Sequence, residues 1–233
     1  MTHQYPLRLS HSRQPTLDNY LSGGNEVMLQ SLLQLLDSPA GAAPLYLWGT
    51  PGSGKSHLLL AACRQLSLQS RSAIYVTLAN PEQLSPAMLG ELHHYELVCI
   101  DDVEGICAQP AWEEALFHLY NAVTQQRRRL LFASASSPGS LPLELADLAS
   151  RLLWGVSYQL QELDDEAKQL LLMQMAEERG MQLSVASSRY LIRRYTRDIN
   201  KLEELIDKLD QDSLARQQKL TIPFLRQSMD AVN

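Results

Sequence analysis

Residues 49–56 read Gly49-Thr50-Pro51-Gly52-Ser53-Gly54-Lys55-Ser56, the pattern Gly-x4-Gly-Lys-Ser. Glycines in such a loop let successive backbone N–H groups curl around a polyphosphate without Cβ clashes. The lysine, expected near the surface of the loop, brings positive charge to the β- and γ-phosphates, and the serine hydroxyl is a ligand for Mg²⁺. An apolar strand precedes the loop and an amphipathic helix follows it. The stretch therefore predicts a P-loop that binds ADP or ATP with Mg²⁺.

A second motif, an apolar strand that ends in two carboxylates, supports this interpretation. Residues 97–100 are Leu-Val-Cys-Ile, and Asp101 and Asp102 follow directly. A buried parallel strand delivers such acids to the edge of the sheet where the P-loop lies. We expect Asp101 to hold the magnesium through water and Asp102 to orient an attacking water. An apolar run ending in two acids is a weak signal alone, but one strand downstream of a glycine loop it is specific.

Strands and helices alternate along the first 160 residues, which predicts a parallel sheet with helices on both faces. Only helical periodicity follows, so we divide the chain into an extended arm (1–15), an α/β nucleotide-binding domain (16–161) and a small helical lid domain (162–233). The predicted strands are 45–48, 73–78, 97–100, 130–133 and 156–160. The predicted helices are 25–36, 55–68, 86–93, 112–126, 144–153, 165–178, 184 or 187 to 195, 198–214 and 222–229.

Composition excludes several classes of protein. The net charge of −6 argues against a protein whose main task is to grip nucleic acid, and 45% hydrophobic residues are typical of a globular chain. The cysteines, Cys63, Cys99 and Cys107, have no metal-knuckle spacing and are expected to be reduced. The first ten residues lack the apolar core of a signal peptide, and no run approaches the ~18 apolar residues of a membrane helix. We expect a cytoplasmic protein.

Further stretches carry a family resemblance. The chain resembles the Hda family of bacterial AAA+ proteins, which are relatives of the replication initiator DnaA. The resemblance covers most of the chain. His57, which lies in one of the resembling stretches, is also expected at the nucleotide. The stretches that carry it are 46–49 (Tyr-Leu-Trp-Gly), 56–63 (Ser-His-Leu-Leu-Leu-Ala-Ala-Cys), 97–104 (Leu-Val-Cys-Ile-Asp-Asp-Val-Glu), 147–155 (Asp-Leu-Ala-Ser-Arg-Leu-Leu-Trp-Gly) and 219–224 (Lys-Leu-Thr-Ile-Pro-Phe).

The resemblance implies roles for two residues and reveals two departures from the family pattern. Arg151 stands where the family carries an arginine finger, which reaches the nucleotide of a neighbouring subunit. Ser134 stands at the polar sensor position after the fourth strand, but the aspartate that often follows is replaced by Ala135. A second sensor arginine, usual at the start of the third lid helix, corresponds to Asn200. The flanking residues, Arg197 and Lys201, are both candidates to replace it.

The arm carries a third role that the resemblance implies. Residues 4–9, Gln-Tyr-Pro-Leu-Arg-Leu, are similar to the sliding-clamp-binding peptide at the start of this family. Gln4 would hydrogen-bond at one subsite, while Leu7 and Leu9 would fill an apolar pocket. The expected partner is the β sliding clamp of DNA polymerase III, and DNA would be contacted mainly through the clamp.

The resemblance thus implies a negative regulator of replication initiation that docks on the DNA-loaded clamp and promotes hydrolysis of DnaA-bound ATP through Arg151. Its own ATPase activity is expected to be weak, and its place is the cytoplasm, at the nucleoid and replisome. The alternative is a DnaA-like or helicase-loader-type ATPase that acts directly in initiation. The choice between ADP and ATP as working ligand, and the formation of a homo-oligomer, stay open.

Overall fold

The computed structural model describes residues 14–38, 43–216 and 220–230. The chain divides into two compact units, one from Pro15 to Glu162 and one that begins at Leu163. Within the described ranges, no helix combines the length and the apolar character that a membrane crossing needs.

The first unit alternates strands and helices in the predicted order. Residues 86–93, predicted as a short helix, lie in a 3₁₀ segment that runs from Pro86 to His94 and has the proline at its first position. The strands are β1 (Leu45–Trp48), β2 (Ala73–Thr77), β3 (Leu97–Asp101), β4 (Arg129–Ser134) and β5 (Val156–Gln159). The helices are α1 (Glu26–Asp37), α2 (Lys55–Leu68), α3 (Pro110–Gln125) and α4 (Ala146–Trp154).

The five strands form one parallel sheet in the order β2-β3-β4-β1-β5. The register pairs Trp48 with Ser134, and Thr77 with Asp101. Since all five strands run the same way, their carboxyl ends share one edge of the sheet. The P-loop after β1, the acids after β3 and the sensor residue after β4 therefore lie along that edge, where ligands of open α/β sheets bind.

Two apolar clusters, one on each face of the sheet, make the core of this unit. Side chains of β3 alternate between them, with Val98 and Ile100 in one cluster and Leu97 and Cys99 in the other. Helices α3 and α4 pack into the first cluster, and helices α1 and α2 pack into the second. The predicted three-layer α/β architecture is confirmed.

Two arginines hold the C-terminal end of α1 against the sheet. Arg129, buried at the start of β4, donates from Nε to the carbonyl oxygen of Leu35 at 2.8 Å, and from Nη2 to that of Ser38. Arg71 donates from Nη1 to the carbonyl oxygen of Leu36 at 3.0 Å. The guanidinium groups thereby satisfy helix-end carbonyls that have no partner within the helix.

The second unit is helical, with α5 (Asp165–Glu178), α6 (Val185–Arg194), α7 (Ile199–Arg216) and α8 (Ile222–Asp230). Polar side chains cap the starts of its first two helices. Asp164 accepts the N–H of Ala167 at 2.8 Å, and Ser184 accepts that of Ser187 at 3.1 Å, so each side chain satisfies a free donor at a helix start. Gly180, with φ of 72°, follows the end of α5.

Candidate nucleotide-binding site

The loop between β1 and α2 has the geometry of an anion cradle. Gly52 and Gly54 have φ values of 80° and 94°, and a Cβ at Gly54 would lie 2.9 Å from the ring of Tyr20. The Ser53 hydroxyl is buried, yet it has no hydrogen-bond partner in the described protein. The N–H groups of Gly52, Gly54 and Ser56 likewise donate to no backbone carbonyl group among the described residues. Donors left free at a helix start fit the phosphates of a nucleotide.

Lys55 is buried, which corrects our expectation of a lysine near the loop surface. Its ammonium donates to the carbonyl oxygens of Gly49 at 2.7 Å and Thr50 at 3.0 Å, so the loop itself shields the charge from water. Burial lowers the pKa of Lys55, and nearby carboxylates, Asp101 foremost, oppose that shift. The Thr50 hydroxyl donates to the carboxylate of Glu162 at 2.6 Å, which fixes the other side of the loop.

Both residues assigned to magnesium lie near one hydroxyl group, that of Tyr75. Asp101 is fully buried, and its Oδ2 accepts the hydroxyl of Tyr75 at 2.9 Å, while its Oδ1 accepts the N–H of Asp102 at 2.9 Å. Burial and the charge of Asp101 raise the pKa of Tyr75, and the neighbouring Ser56 hydroxyl acts to lower it. A carboxylate and a hydroxyl brought together beside the P-loop are the oxygen ligands that Mg²⁺ prefers. The residues present therefore fit a nucleotide with magnesium.

Asp102 is held at the edge of the sheet in a left-handed backbone conformation, with φ of 54°. Its Oδ2 accepts the hydroxyl of Thr77, the last residue of β2, at 2.6 Å. A short hydrogen bond to a carboxylate fixes the direction of that group. The expected role of Asp102 in orienting water therefore depends on Thr77, which the sequence alone did not indicate.

The sensor position lies inside the fold. Ser134 is fully buried, accepts the hydroxyl of Tyr46 at 2.7 Å and donates to the carbonyl oxygen of Ser136. Next to it, Glu104 accepts the N–H of Ala135 through Oε1 at 2.9 Å, whereas its Oε2 is buried without a partner in the described protein. Glu104 is thus a polar group of this edge that motif analysis missed. The sensor role of Ser134 stays a prediction.

A segment before α1 lies beside the P-loop helix. The His57 ring nitrogen Nε2 is 3.0 Å from the carbonyl oxygen of Thr16, and the ring centroids of His57 and Tyr20 are 5.8 Å apart. Asn25 donates to the Tyr20 hydroxyl and the Gln161 carbonyl oxygen, and its own amide oxygen accepts the N–H of Gln161. The segment is thereby tied to the chain after β5. His57, assigned to the nucleotide, contacts this segment.

Arg151 projects from α4 with its guanidinium carbon 6.0 Å from the ring centroid of Tyr120. Its side chain is exposed. No ion pair of the described residues involves Arg151. The guanidinium of Arg151 therefore lies near an aromatic ring, and no carboxylate of the described ranges neutralises its charge.

The remaining predicted residues lie in the helical unit or outside the described ranges. Arg197 forms an ion pair with Asp165 of its own unit at 3.1 Å. Asn200, in the first turn of α7, donates its N–H to Asp198 at 2.9 Å, and Lys201 is exposed. Gln4, Leu7 and Leu9, the predicted clamp-binding residues, lie outside the described residues.

The P-loop, the acidic strand end and the helical unit after the sheet define a P-loop protein of the AAA+ class. Residues 12–159 match the family model of the bacterial DnaA ATPase domain, and residues 165–229 match the model of the Hda lid domain. The chain belongs to the Hda family of DnaA-related AAA+ proteins, which confirms the resemblance.

Relatives and solved structures agree with this assignment. An uncharacterized protein of Haemophilus influenzae is 40% identical over 231 residues, which are 99% of this chain and 100% of that protein. Domain III of the replication initiation protein DnaA of Thermotoga maritima has a TM-score of 0.81 at 19% identity, over 97% of this chain and 98% of that one. The AMPPCP-bound DnaA of Aquifex aeolicus has a TM-score of 0.71 at 22% identity, over 86% and 66%. At such identities the structural likeness establishes the fold.

Proposed function

We propose that this protein binds ADP or ATP with Mg²⁺ at residues 49–57, with Ser56 and Asp101 at the metal. It docks on the DNA-loaded sliding clamp through Gln4, Leu7 and Leu9, and it presents Arg151 to ATP bound on DnaA. Hydrolysis of that ATP would limit re-initiation of replication. The function rests on an arginine supplied in trans, so it requires no rapid turnover at the protein's own P-loop.

The single observation that carries the proposal is the state of Arg151. Arg151 is exposed and forms no ion pair with the residues that the structure describes, so its charge is available for an external anion. In ATP hydrolysis, charge spreads over the γ-phosphoryl oxygens, and a guanidinium that reaches them contributes on the order of 10³–10⁵ in rate. A planar fork of five donors matches a phosphate better than an ammonium does, so lysine is a poor replacement.

The surface around Arg151 supports a protein partner as the source of that anion. Leu153 and Trp154 follow it on α4, and they are 58% and 68% exposed. Large apolar and aromatic side chains beside an arginine are the residue types that dominate binding energy at protein interfaces. Membership of the DnaA-related family and the AMPPCP carried by the Aquifex relative favour DnaA and its adenine nucleotide.

The test measures ATP hydrolysis by ATP-bound DnaA on clamp-loaded DNA at equal concentrations of each variant. Arg151→Ala should lose nearly all stimulation, and Arg151→Lys should recover little. ADP binding, clamp binding and thermal stability should stay near wild type. Arg189→Ala, which removes an exposed arginine of α6, is the control and should stimulate fully. Full stimulation by Arg151→Ala would place the finger elsewhere.

Deletion of residues 1–9 tests the docking step separately. We expect the truncated protein to bind ADP as the full chain does but to lose co-elution with the clamp. Retained clamp binding would refute the role of Gln4, Leu7 and Leu9. Stimulation that needs neither clamp nor Arg151, together with turnover by the protein itself, would instead favour a DnaA-like or loader-type ATPase.

A further inference from the structure

A buried carboxylate on α3 holds the start of the helix that carries Arg151. Glu113 is fully buried, and its Oε2 accepts the N–H groups of Glu144 and Leu145 at 2.9 and 2.7 Å. These are the two residues that precede α4. Its Oε1 accepts the N–H of Ala108 at 2.9 Å, in the connection between β3 and α3. A buried charge is tolerated only when donors satisfy it, and here all three donors are backbone groups.

The same face of α3 holds the other end of α4. Tyr120 lies seven residues, or about two helical turns, beyond Glu113, so both side chains project from one side of the helix. The Tyr120 ring is stacked on Phe132 of β4, with centroids 6.2 Å apart and planes 10° apart, and it faces the guanidinium of Arg151. A ring clamped between a strand and a cation is a rigid platform.

The hydroxyl group of Tyr120 gives no reason for a tyrosine at this position. It is buried without a hydrogen-bond partner in the described protein, and burial raises its pKa while the charge of Arg151 lowers it. A buried polar group without a partner is unfavourable, and phenylalanine would fill the same space without it. The feature that contacts Arg151 is therefore the aromatic ring.

We propose that Glu113 and Tyr120 are positioning residues for Arg151, Glu113 by fixing the backbone before α4 and Tyr120 by holding the guanidinium on its ring. This inference rests on the proposed function of Arg151 as a finger in trans. An exposed arginine otherwise samples many rotamers, and each must be given up when the charge enters a partner's site. A guanidinium already held in one direction loses less freedom at that moment, so catalysis in the partner gains.

The experiment compares Tyr120→Leu, which removes the ring, with Tyr120→Phe, which keeps it. Maximal stimulation of DnaA's ATP hydrolysis should fall roughly 3- to 30-fold in Tyr120→Leu and stay within about twofold of wild type in Tyr120→Phe. The concentration giving half-maximal stimulation and the ADP affinity should not move in either variant. Glu113→Gln, which cannot accept three donors, should lower maximal stimulation in the same direction. Tyr120→Met serves as a second ring-free variant if Tyr120→Leu does not fold.

A double variant and a spectroscopic signal separate positioning from general damage. Adding Tyr120→Leu to Arg151→Ala should cause no further loss of stimulation, because the ring acts only through the arginine. In the free protein, the Arg151 Nε–Hε resonance, assigned with Arg151→Lys, should show an aromatic ring shift in wild type and Tyr120→Phe but not in Tyr120→Leu.

Two results would overturn the inference. The first is wild-type stimulation by the ring-free variants and Glu113→Gln while Arg151→Ala is inactive. The second is an unchanged Arg151 resonance in Tyr120→Leu. Full stimulation by Arg151→Ala would refute the proposed function instead, and the resonance would still decide whether Tyr120 holds the arginine.

Discussion

Replacement of Lys55 by methionine removes one charge from the P-loop while keeping an apolar stem of similar length. The ammonium makes two hydrogen bonds to loop carbonyls in the free protein and is expected to turn to phosphate when ADP binds. One hydrogen bond to a charged group contributes roughly 1.5–3 kcal/mol. Loss of one such bond corresponds to about 10- to 150-fold weaker binding, and a second bond would multiply that factor.

The stability of the nucleotide-free protein should change much less than the affinity. Lys55→Met leaves two carbonyl groups without their donor, but it also removes a charge whose burial is unfavourable, so the two effects oppose each other. We expect a change below about 1.5 kcal/mol in the free energy of unfolding.

Calorimetric titration with Mg-ADP measures the affinity, and thermal unfolding with and without ADP provides an independent readout. Bound ligand raises the melting temperature of a protein that binds it in the folded state, and the variant should lose that rise. An ADP affinity within threefold of wild type would refute the assignment of Lys55 to the phosphates.

Three further predictions concern pH, the loop backbone and α1. Burial lowers the pKa of Lys55 from 10.5, and only the protonated ammonium attracts phosphate. The ADP affinity measured by calorimetry should therefore fall as the pH rises, and this fall should begin at a pH below the usual lysine range. Lys55→Met should show no such fall. Gly54→Ala, at positive φ, should destabilise the fold by about 1–3 kcal/mol and weaken ADP binding, while Gly90→Ala, which meets no atom within 4 Å, should do neither in the same assays. Arg129→Met should lower the free energy of unfolding, measured by urea titration, by about 2–4 kcal/mol. Arg71→Met should lower it less, because the side chain of Arg71 is 23% exposed. Equal urea midpoints for the two variants would contradict this prediction.

The sequence predicts the parts of this molecule that depend on local pattern. The P-loop, β1, α2 and the start of α5 follow from glycine spacing, apolar runs and capping residues, and the structure has them at the predicted positions. These features depend on interactions between residues that are close in the sequence, so they can be predicted from the sequence alone. The 3₁₀ segment at 86–94 shows the limit, because apolar content without a strong period does not specify the helix type.

The groups that the sequence did not indicate act across long separations. Tyr75 and Thr77 are ordinary strand residues by composition, and only the pairing of β2 with β3 brings them to Asp101 and Asp102. Glu113 would be assigned to a solvated helix face by its charge, yet packing of α3 against α4 makes it a buried acceptor. Tertiary contacts of this kind leave no local signal.

The order of strands in the sheet has a consequence for synthesis on the ribosome. β1, which leads into the P-loop, pairs with β4 and β5, and both are made long after it. A growing chain that ends before β4 carries the complete glycine motif but lacks both neighbours of the strand that must support it. Nascent chains of increasing length should therefore acquire resistance to protease and retention on immobilised ADP together, only once β5 has emerged. Until then β1 is an unpaired strand that chaperones can bind, and the glycine motif that follows it lacks a folded support.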